Sequence, residues 1–335
     1  MADKLIPLRI AGIGYSVPDT VVTNDDLTKL YETSDEWIYS RTGIKERRLV
    51  SGEETAIDLG ERAAKNAIKK AGMTPDDIDL IIAASTAPIE VYSMGCQIHK
   101  RLGISKPVPA FDVAAACTGL IYGLSIAKGM IASGMYKNIL IVATDNNSKL
   151  LDWTDRGTSI LFGDGAGALV VTQAEDGEDD IIAIDIKSDG NYDHLISLPF
   201  DGKNCPLVEQ AEVKPSLIKM NGRGVYAFVA KILPKYVEDL LKNSGLTSED
   251  IDYMIPHQAN IRIIQAVQER LGLPEDKVVT NIKYYGNTSA ASIPIALAEG
   301  VEKGNVKLNS TALLCGFGAG MTWGGAIIRL RDGIC

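Results

Sequence analysis

AGMTPDDIDLII at residues 71–82 returns as SGLTSEDIDYMI at residues 244–255, with Gly, Thr, Asp, Ile and Asp in step at a spacing of 173. An amphipathic helical pattern precedes each copy: Ala63, Ala64, Ala67 and Ile68 before the first, Tyr236, Val237, Leu240 and Leu241 before the second. Each copy ends in a short apolar run of strand type. The echo continues downstream, where KRLGI at 100–104 answers ERLGL at 269–273. Strand candidates follow at 108–113 and 278–282. Each half then closes on a glycine-rich segment running into an apolar strand, GDGAGALVV at 163–171 and GFGAGMTWGGAII at 316–328. Helix-turn-strand phrases recur by chance in α/β proteins, but the shared order of elements favours duplication. The chain therefore reads as two similar α/β halves, 1–174 and 175–335, related by a pseudo-two-fold axis. The run ILIVA at 139–143 implies sheets covered by helices on both faces. The acidic stretch 175–180 falls at the joint, and 188–222, rich in Gly, Pro, Asn and Asp, reads as a surface excursion.

Composition excludes several classes. The 335 residues are 46% apolar and 23% charged, as in ordinary globular proteins, and can bury a large core without staples. A net charge of -9 argues against nucleic acid as a partner, which needs a basic footprint. The five cysteines (96, 117, 205, 315 and 335) are odd in number and form no C-x-x-C pair. A reducing compartment fits them, and neither a metal site nor a disulfide framework is expected. The first residues carry no apolar signal-peptide core, and the longest apolar stretch, 113–127, is short of the ~20 residues of a membrane span. A cytoplasmic protein without a membrane partner is expected.

Chemistry concentrates where the two copies align. The strand ending at Val113 leads through three alanines into CTGLIYG, so a helix opens at or near Cys117. A thiol at a helix N-terminus faces free N–H groups and the positive dipole end, which lower its pKa. A cysteine in an Ala-rich helix is also commonly an inert core residue. His257 follows the apolar run YMIP, opposite Ala84 of the first copy, and is the only one of three histidines at the end of an apolar strand. Taken alone it reads more readily as a satisfied core histidine, and only its convergence with Cys117 and Asn287 reverses that. Asn287 lies 16 residues after Leu271, as Cys117 lies 15 after Leu102, placing both at equivalent strand-to-helix corners. An axis that faces those corners gathers Cys117, His257 and Asn287 into one cleft. Other motifs are weak. Gly12-x-Gly14 lacks the third glycine of a dinucleotide fingerprint, and no phosphate loop is present. The glycines at 316–320 either aim N–H groups into a site or serve tight packing; both readings stay open.

These residues resemble the thiolase superfamily, and specifically the β-ketoacyl-[acyl-carrier-protein] synthase III family. The likeness runs over residues 8–331 and rests on TSDEWIYSRTGI (33–44), AFDVAAACTGL (110–120), DWTDRGT (152–158), FGDGAGA (162–168), PHQANIRII (256–264), YGNTSAASIPIAL (285–297) and GFGAGMTWGGA (316–326). The resemblance implies a layered α-β-α-β-α fold and a Cys117-His257-Asn287 triad. It implies that Cys117 accepts an acyl group from acyl-CoA, with the backbone N–H groups of Cys117 and Ala319 as the oxyanion hole. His257 and Asn287 then stabilise the enolate formed when malonyl-[acyl-carrier protein] loses CO2, and its attack on the acyl-Cys gives a 3-oxoacyl thioester that starts fatty-acid synthesis. No cofactor is implied beyond the coenzyme A thioester as substrate. Trp37 and Arg156 would sandwich the adenine of coenzyme A, with Arg41 near its phosphates, Arg262 at the tunnel mouth and Phe111 beside the nucleophile. A homodimer is expected, with the Tyr92 region reaching the partner's acyl pocket.

Three positions depart from the family pattern. Ala227 and Glu269 stand where many members carry basic residues for carrier docking, which leaves Arg223, Lys231, Arg262 and Arg270 for that surface. Tyr92 stands where the floor of the acyl pocket is often Phe. Ala143-Thr-Asp145, followed by Asn146-Asn147, replaces the usual Gly-Ala/Ser-Glu. A polyketide- or quinolone-type condensing enzyme or acyltransferase, using malonyl-CoA or another acceptor, is the alternative on the same fold. A degradative thiolase is disfavoured because no cysteine follows the 316–320 glycines, and a non-catalytic interaction module would make the triad incidental.

Overall fold

The computed structural model describes residues 5–86, 91–199, 207 and 217–334. Cys205, Cys335 and much of the 188–222 excursion lie outside the described residues. Two sheets of matching topology carry the fold. The first is ordered Leu8–Ser16, Asp164–Gln173, Asn138–Asn146, Leu80–Ala84, Ala110–Val113, and the second Ile181–Ser188, Thr322–Leu330, Ser310–Gly318, Tyr253–Pro256. In both, the first two pairings are antiparallel and the next is parallel.

The fifth strand of the second sheet is a correction to the expectation. Residues 278–282 form no strand. Val278 makes a single parallel bridge to Met254, and Ile282 begins a short helix, Ile282–Tyr285. That turn delivers the chain early to the corner holding Asn287.

Each residue shared by the repeated phrase does the same work twice. Gly72 and Gly245 take φ of +66° and +73° just past the helices Ala56–Lys70 and Gly222–Asn243, a conformation that favours glycine. Thr74–Asp77 and Thr247–Asp250 each close a one-turn cap, with backbone N–H to carboxylate distances of 2.7 and 2.8 Å. Ile78 and Ile251 are fully buried. Asp79 and Asp252 then accept the N–H groups of Asn138 and Thr311, at 3.0 and 2.8 Å, where the neighbouring strand begins.

Five layers result. Helices Ala56–Lys70 and Met94–Leu102 cover the outer face of the first sheet, and Gly222–Asn243 and Ile261–Leu271 cover that of the second. Between the sheets lie Gly119–Ala132 and Ser292–Glu302, wrapped in the largest apolar core. Gly12 and Gly14 belong to this packing: a Cβ at either would stand 2.2 or 2.5 Å from a carbonyl of the Ala56–Lys70 helix. The Gly-x-Gly spacing is thus a helix-on-strand contact. Among the described residues, no helix is long and apolar enough to cross a membrane, and no cluster of three or more His, Cys, Asp or Glu is arranged to hold a metal ion.

Candidate active site

Both central helices begin at a strained corner. Ala116 has φ +44° and Ser289 has φ +53°, and each is followed by a 3-10 turn and then its helix. Non-glycine residues hold such angles only where surrounding structure fixes them. Gly119 lets the first corner close, since a Cβ there would lie 2.7 Å from that of Ala84. The matched strain puts Cys117 opposite Ala290, so Cys117 and Asn287 share a type of corner but not a position. Asn287 sits three residues earlier, held by its N–H to Leu161 O at 2.8 Å.

The two corners and the end of the Tyr253–Pro256 strand open onto one cavity of about 630 Å³. Cys117, His257, Asn287, Phe317 and Ala319 line it, with Trp37, Arg41 and Arg262 also on its wall. The triad expected from spacing is brought together. Gly318 permits the closest approach, because a Cβ on it would stand 2.8 Å from the backbone N of Cys117. Thr118 and Thr322 tie the two turns together, their hydroxyls 2.8 Å apart. Cys117 and Ala319 therefore border the same space, as the expected oxyanion site requires. Gly318→Ala is expected to wedge this turn from Cys117 and to lower the rate of the Cys117 acylation that the resemblance implies by ~10²-fold or more. Rapid-quench kinetics beside a thermal melt will separate that effect from unfolding.

Electrostatics sets the two chemical groups apart. His257 is buried, and desolvation pushes its pKa down to about 3, so the ring is neutral at physiological pH. Its Nδ1 lies 2.7 Å from Ser292 Oγ, which also accepts the Gln258 N–H at 3.3 Å. With that oxygen accepting from the backbone, its own proton is placed to go to Nδ1, which leaves the hydrogen on Nε2. Nε2 has no protein partner and Phe317 stands edge-on to the ring at 5.3 Å. Asn287 Oδ1 is occupied by the Ser289 N–H at 2.8 Å, which turns the amide NH2 outward as a donor. Cys117 differs from expectation. Burial pushes its thiol up to about 12, outweighing the Ser289 hydroxyl at 3.3 Å. The expected fall in pKa at the helix start loses to desolvation, partly because the α-helix proper begins two residues later, at Gly119.

At the mouth, the Trp37 indole is flanked by two guanidinium groups, Arg41 at 4.4 Å and Arg156 at 4.7 Å from the ring centroid. Arg262 donates to Ser40 O at 2.9 Å. Of the expected docking residues, Arg223 lines the cavity with Arg262, whereas Lys231 is exposed on the Gly222–Asn243 helix away from the lining. Arg270 is paired with Glu238 at 2.5 Å, so its charge is largely answered within the chain. Tyr92 does not line the cavity: it is 49% exposed, its hydroxyl 3.3 Å from Cys96 O. Phe111 packs into the central core and is not a cavity wall. Sequence reasoning missed Thr86, Ser289 and Ser292, and singled out Asp145 only as a departure from the family pattern, without a role. All four cluster around the two corners, and NTSAAS at 287–292 was the available signal, since two serines beside a strained turn supply hydroxyls at fixed distances.

Comparison with known proteins agrees with this geometry. The family model for 3-oxoacyl-[acyl-carrier-protein] synthase III matches residues 111–190, and that for its C-terminal region matches 241–330. The β-ketoacyl-[acyl-carrier-protein] synthase III of Aliarcobacter butzleri is 46% identical over 328 residues, spanning 97% of this chain and 98% of the relative. That of Clostridium perfringens is 44% identical over 323 residues, covering 96% and 99%. Among solved structures, the synthase III of Aquifex aeolicus superimposes with a TM-score of 0.87 at 41% identity, covering 96% of this chain and 99% of that one. The priming β-ketosynthase of the R1128 polyketide pathway gives 0.91 at 32% identity, covering 99% of each. Paired sheets, paired corners and full-length likeness converge, and the chain belongs to the 3-oxoacyl-[acyl-carrier-protein] synthase III family, acyltransferase-type condensing enzymes that initiate fatty-acid synthesis.

Proposed function

We propose that Cys117, His257 and Asn287 divide this condensation into two stages around one cavity. In the first, Cys117 Sγ bonds to the carbonyl carbon of an acyl-CoA, the carbon–sulfur bond to coenzyme A breaks, and coenzyme A leaves as the thiol. The N–H groups of Cys117 and Ala319 receive the oxyanion. In the second, malonyl-[acyl-carrier protein] loses CO2 while His257 Nε2–H and the Asn287 amide hold the enolate oxygen. The enolate carbon attacks the acyl-Cys117, the acyl carbon–sulfur bond breaks, and Cys117 leaves as the thiolate, which takes one proton from solvent as the 3-oxoacyl carrier is released. Side chains and thioester substrates supply every step, so we assign no cofactor or metal. The observation that carries this reading is a neutral, unpartnered imidazole donor facing the same cavity as a thiol at a strained helix start.

Coenzyme A is assigned to the mouth bordered by Trp37, Arg41, Arg156 and Arg262. Its adenine stacks on the indole by displacing one guanidinium, whose charge is then free for phosphate. Carrier docking falls to Arg223 and Arg262, with Lys231 farther along the same helix. Tyr92 supports a homodimer: exposed beside Val91 and not among the lining residues of its own cavity, it is free to floor the acyl pocket of a partner, as the resemblance implies. The free thiols of Cys96, Cys117 and Cys315 fit the cytoplasm.

Intact-protein mass spectrometry after incubation with acetyl- to octanoyl-CoA and a branched acyl-CoA tests the first stage. One acyl adduct is expected on the wild type and none on Cys117→Ala, with the preferred chain naming the primer. The absence of an adduct with every acyl-CoA would sink the reading.

A further inference from the structure

Asp145 is the ionisable group beside Cys117 that the mechanism above leaves unused. It ends the central strand Asn138–Asn146 and is 2% exposed. Its Oδ1 accepts from Ser85 Oγ at 2.9 Å and Thr86 N at 2.6 Å, and its Oδ2 from Ala290 N at 3.2 Å. These donors come from sequence-distant segments, Ser85 and Thr86 on one side and Ala290 on the other, so the carboxylate sits between the two corners. Ser289 also hydrogen-bonds to it, and the same hydroxyl lies 3.3 Å from Cys117 Sγ and in contact with Thr86 Oγ1, a cavity-lining atom.

We propose that Ser289 and Asp145 form the proton acceptor for Cys117 during acyl transfer, a role that the imidazole of His257 does not fill. The proposal rests on Cys117 being the acyl acceptor. As Sγ bonds to the acyl carbon, the Ser289 hydroxyl turns its own proton from Sγ to Asp145, and its Oγ takes up the thiol proton. When the carbon–sulfur bond to coenzyme A breaks, the proton returns through Ser289 and Thr86 to the departing thiolate. Asp145 is left ionised, coenzyme A departs as the thiol, and nothing else is consumed.

Three observations favour this route. The hydroxyl of Ser289 donates to Sγ at 3.3 Å, the hydrogen bond Sγ receives from another side chain, and a hydroxyl that rotates can accept one proton while donating another. Moving the proton from Cys117 to Asp145 relocates one buried negative charge and creates no second one, which limits the desolvation cost. Asp145 is also poised for the work: burial raises its carboxyl to about 6, whereas the desolvated His257 is far too weak a base. The ionisable groups around Asp145 are few. Cys117 faces it from the first corner, and the adjacent strand carries Asp164, whose carboxylate is turned to Val50 N, Ser148 N and Ser148 Oγ. Among the described residues no Lys, Arg or His forms an ion pair with it.

The test is the rate of acyl-Cys117 formation from acetyl-CoA, followed by rapid-quench mass spectrometry from about pH 5 to about pH 9 on the full chain. The wild type is expected to rise and then level off above about pH 7, once Asp145 is ionised. Ser289→Ala and Asp145→Asn are expected to lose the plateau and climb about tenfold per pH unit, as the thiol itself must ionise. At about pH 7 both should run ~10²-fold below wild type, and Asp145→Glu should regain the plateau. A general loosening of the corner would lower rates without changing the shape of the profile. A preserved plateau in Ser289→Ala, which removes one oxygen and leaves the carboxylate's other donors in place, overturns the relay. So does a wild type that climbs tenfold per unit throughout. If the wild type forms no adduct at any pH, the acyl-acceptor reading falls and takes this proposal with it. An adduct with unchanged variant profiles removes the proposal alone.

Discussion

Cys117→Ser is expected to form no detectable covalent acyl-enzyme, a loss on the order of 10⁴-fold or more in acyl transfer. The substitution is nearly isosteric. Serine can keep the contact to Ser289, the tied turns of Thr118 and Thr322, and the N–H groups bordering the cavity. What changes is the nucleophile. Burial already pushes the thiol up to about 12, and a hydroxyl, far less acidic at the outset, meets the same desolvation. An oxygen nucleophile also lacks the polarisability that lets sulfur attack while only partly deprotonated. Intact mass spectrometry with the acyl-CoA that loads the wild type will decide the matter. An adduct of equal stoichiometry on the serine variant would move the nucleophile elsewhere.

Much of the fold was legible because the repeated phrase consists of residues whose backbone duties are local. Gly72 and Gly245 end helices, Thr74 and Thr247 cap turns, and Asp79 and Asp252 catch an N–H at the start of the neighbouring strand; each duty leaves a mark at fixed spacing. The lost fifth strand was not legible. Residues 278–282 have strand composition, but Asn281 and Ile282 give their N–H groups to Gln258 Oε1, a side chain from a distant segment. Sequence periodicity does not report such a capture. The register of the corners was misread for a related reason: counting from Leu102 and Leu271 aligned Cys117 with Asn287, whereas the strained φ angles align it with Ala290. Three-dimensional strain fixes that register, and composition carries no trace of it. Burial explains the remaining difference. A helix start predicts a depressed thiol pKa, but the degree of desolvation depends on the second half folding over Cys117, and no local window contains that information.

His257→Ala and Asn287→Ala are each expected to keep acyl transfer to Cys117 and to lose malonyl-thioester decarboxylation by about 10²–10³-fold. On the proposed reading the two steps separate because the donors serve different oxygens. In that proposal acyl transfer places charge beside the backbone N–H groups of Cys117 and Ala319, whereas decarboxylation places it before Nε2 and the Asn287 amide. His257 titrates near 3, so protonation plays no part in its action and the decarboxylation rate should show no histidine-like inflection between about pH 5 and about pH 8. Ser292→Ala extends the argument. It removes the hydroxyl 2.7 Å from Nδ1 and frees the ring to take the other tautomer, in which Nε2 carries no proton to give. That variant should approach the His257→Ala rate although the imidazole is still present. Asn287→Asp should fall below Asn287→Ala, because a carboxylate offers the enolate an acceptor and a like charge where the amide offered a donor. Release of CO2 from malonyl thioester, measured beside adduct formation by mass, will read both halves of the reaction in each variant. Normal CO2 release from either alanine variant would remove that residue from the enolate site, and loss of the adduct would mean that the two stages share donors that the geometry keeps apart.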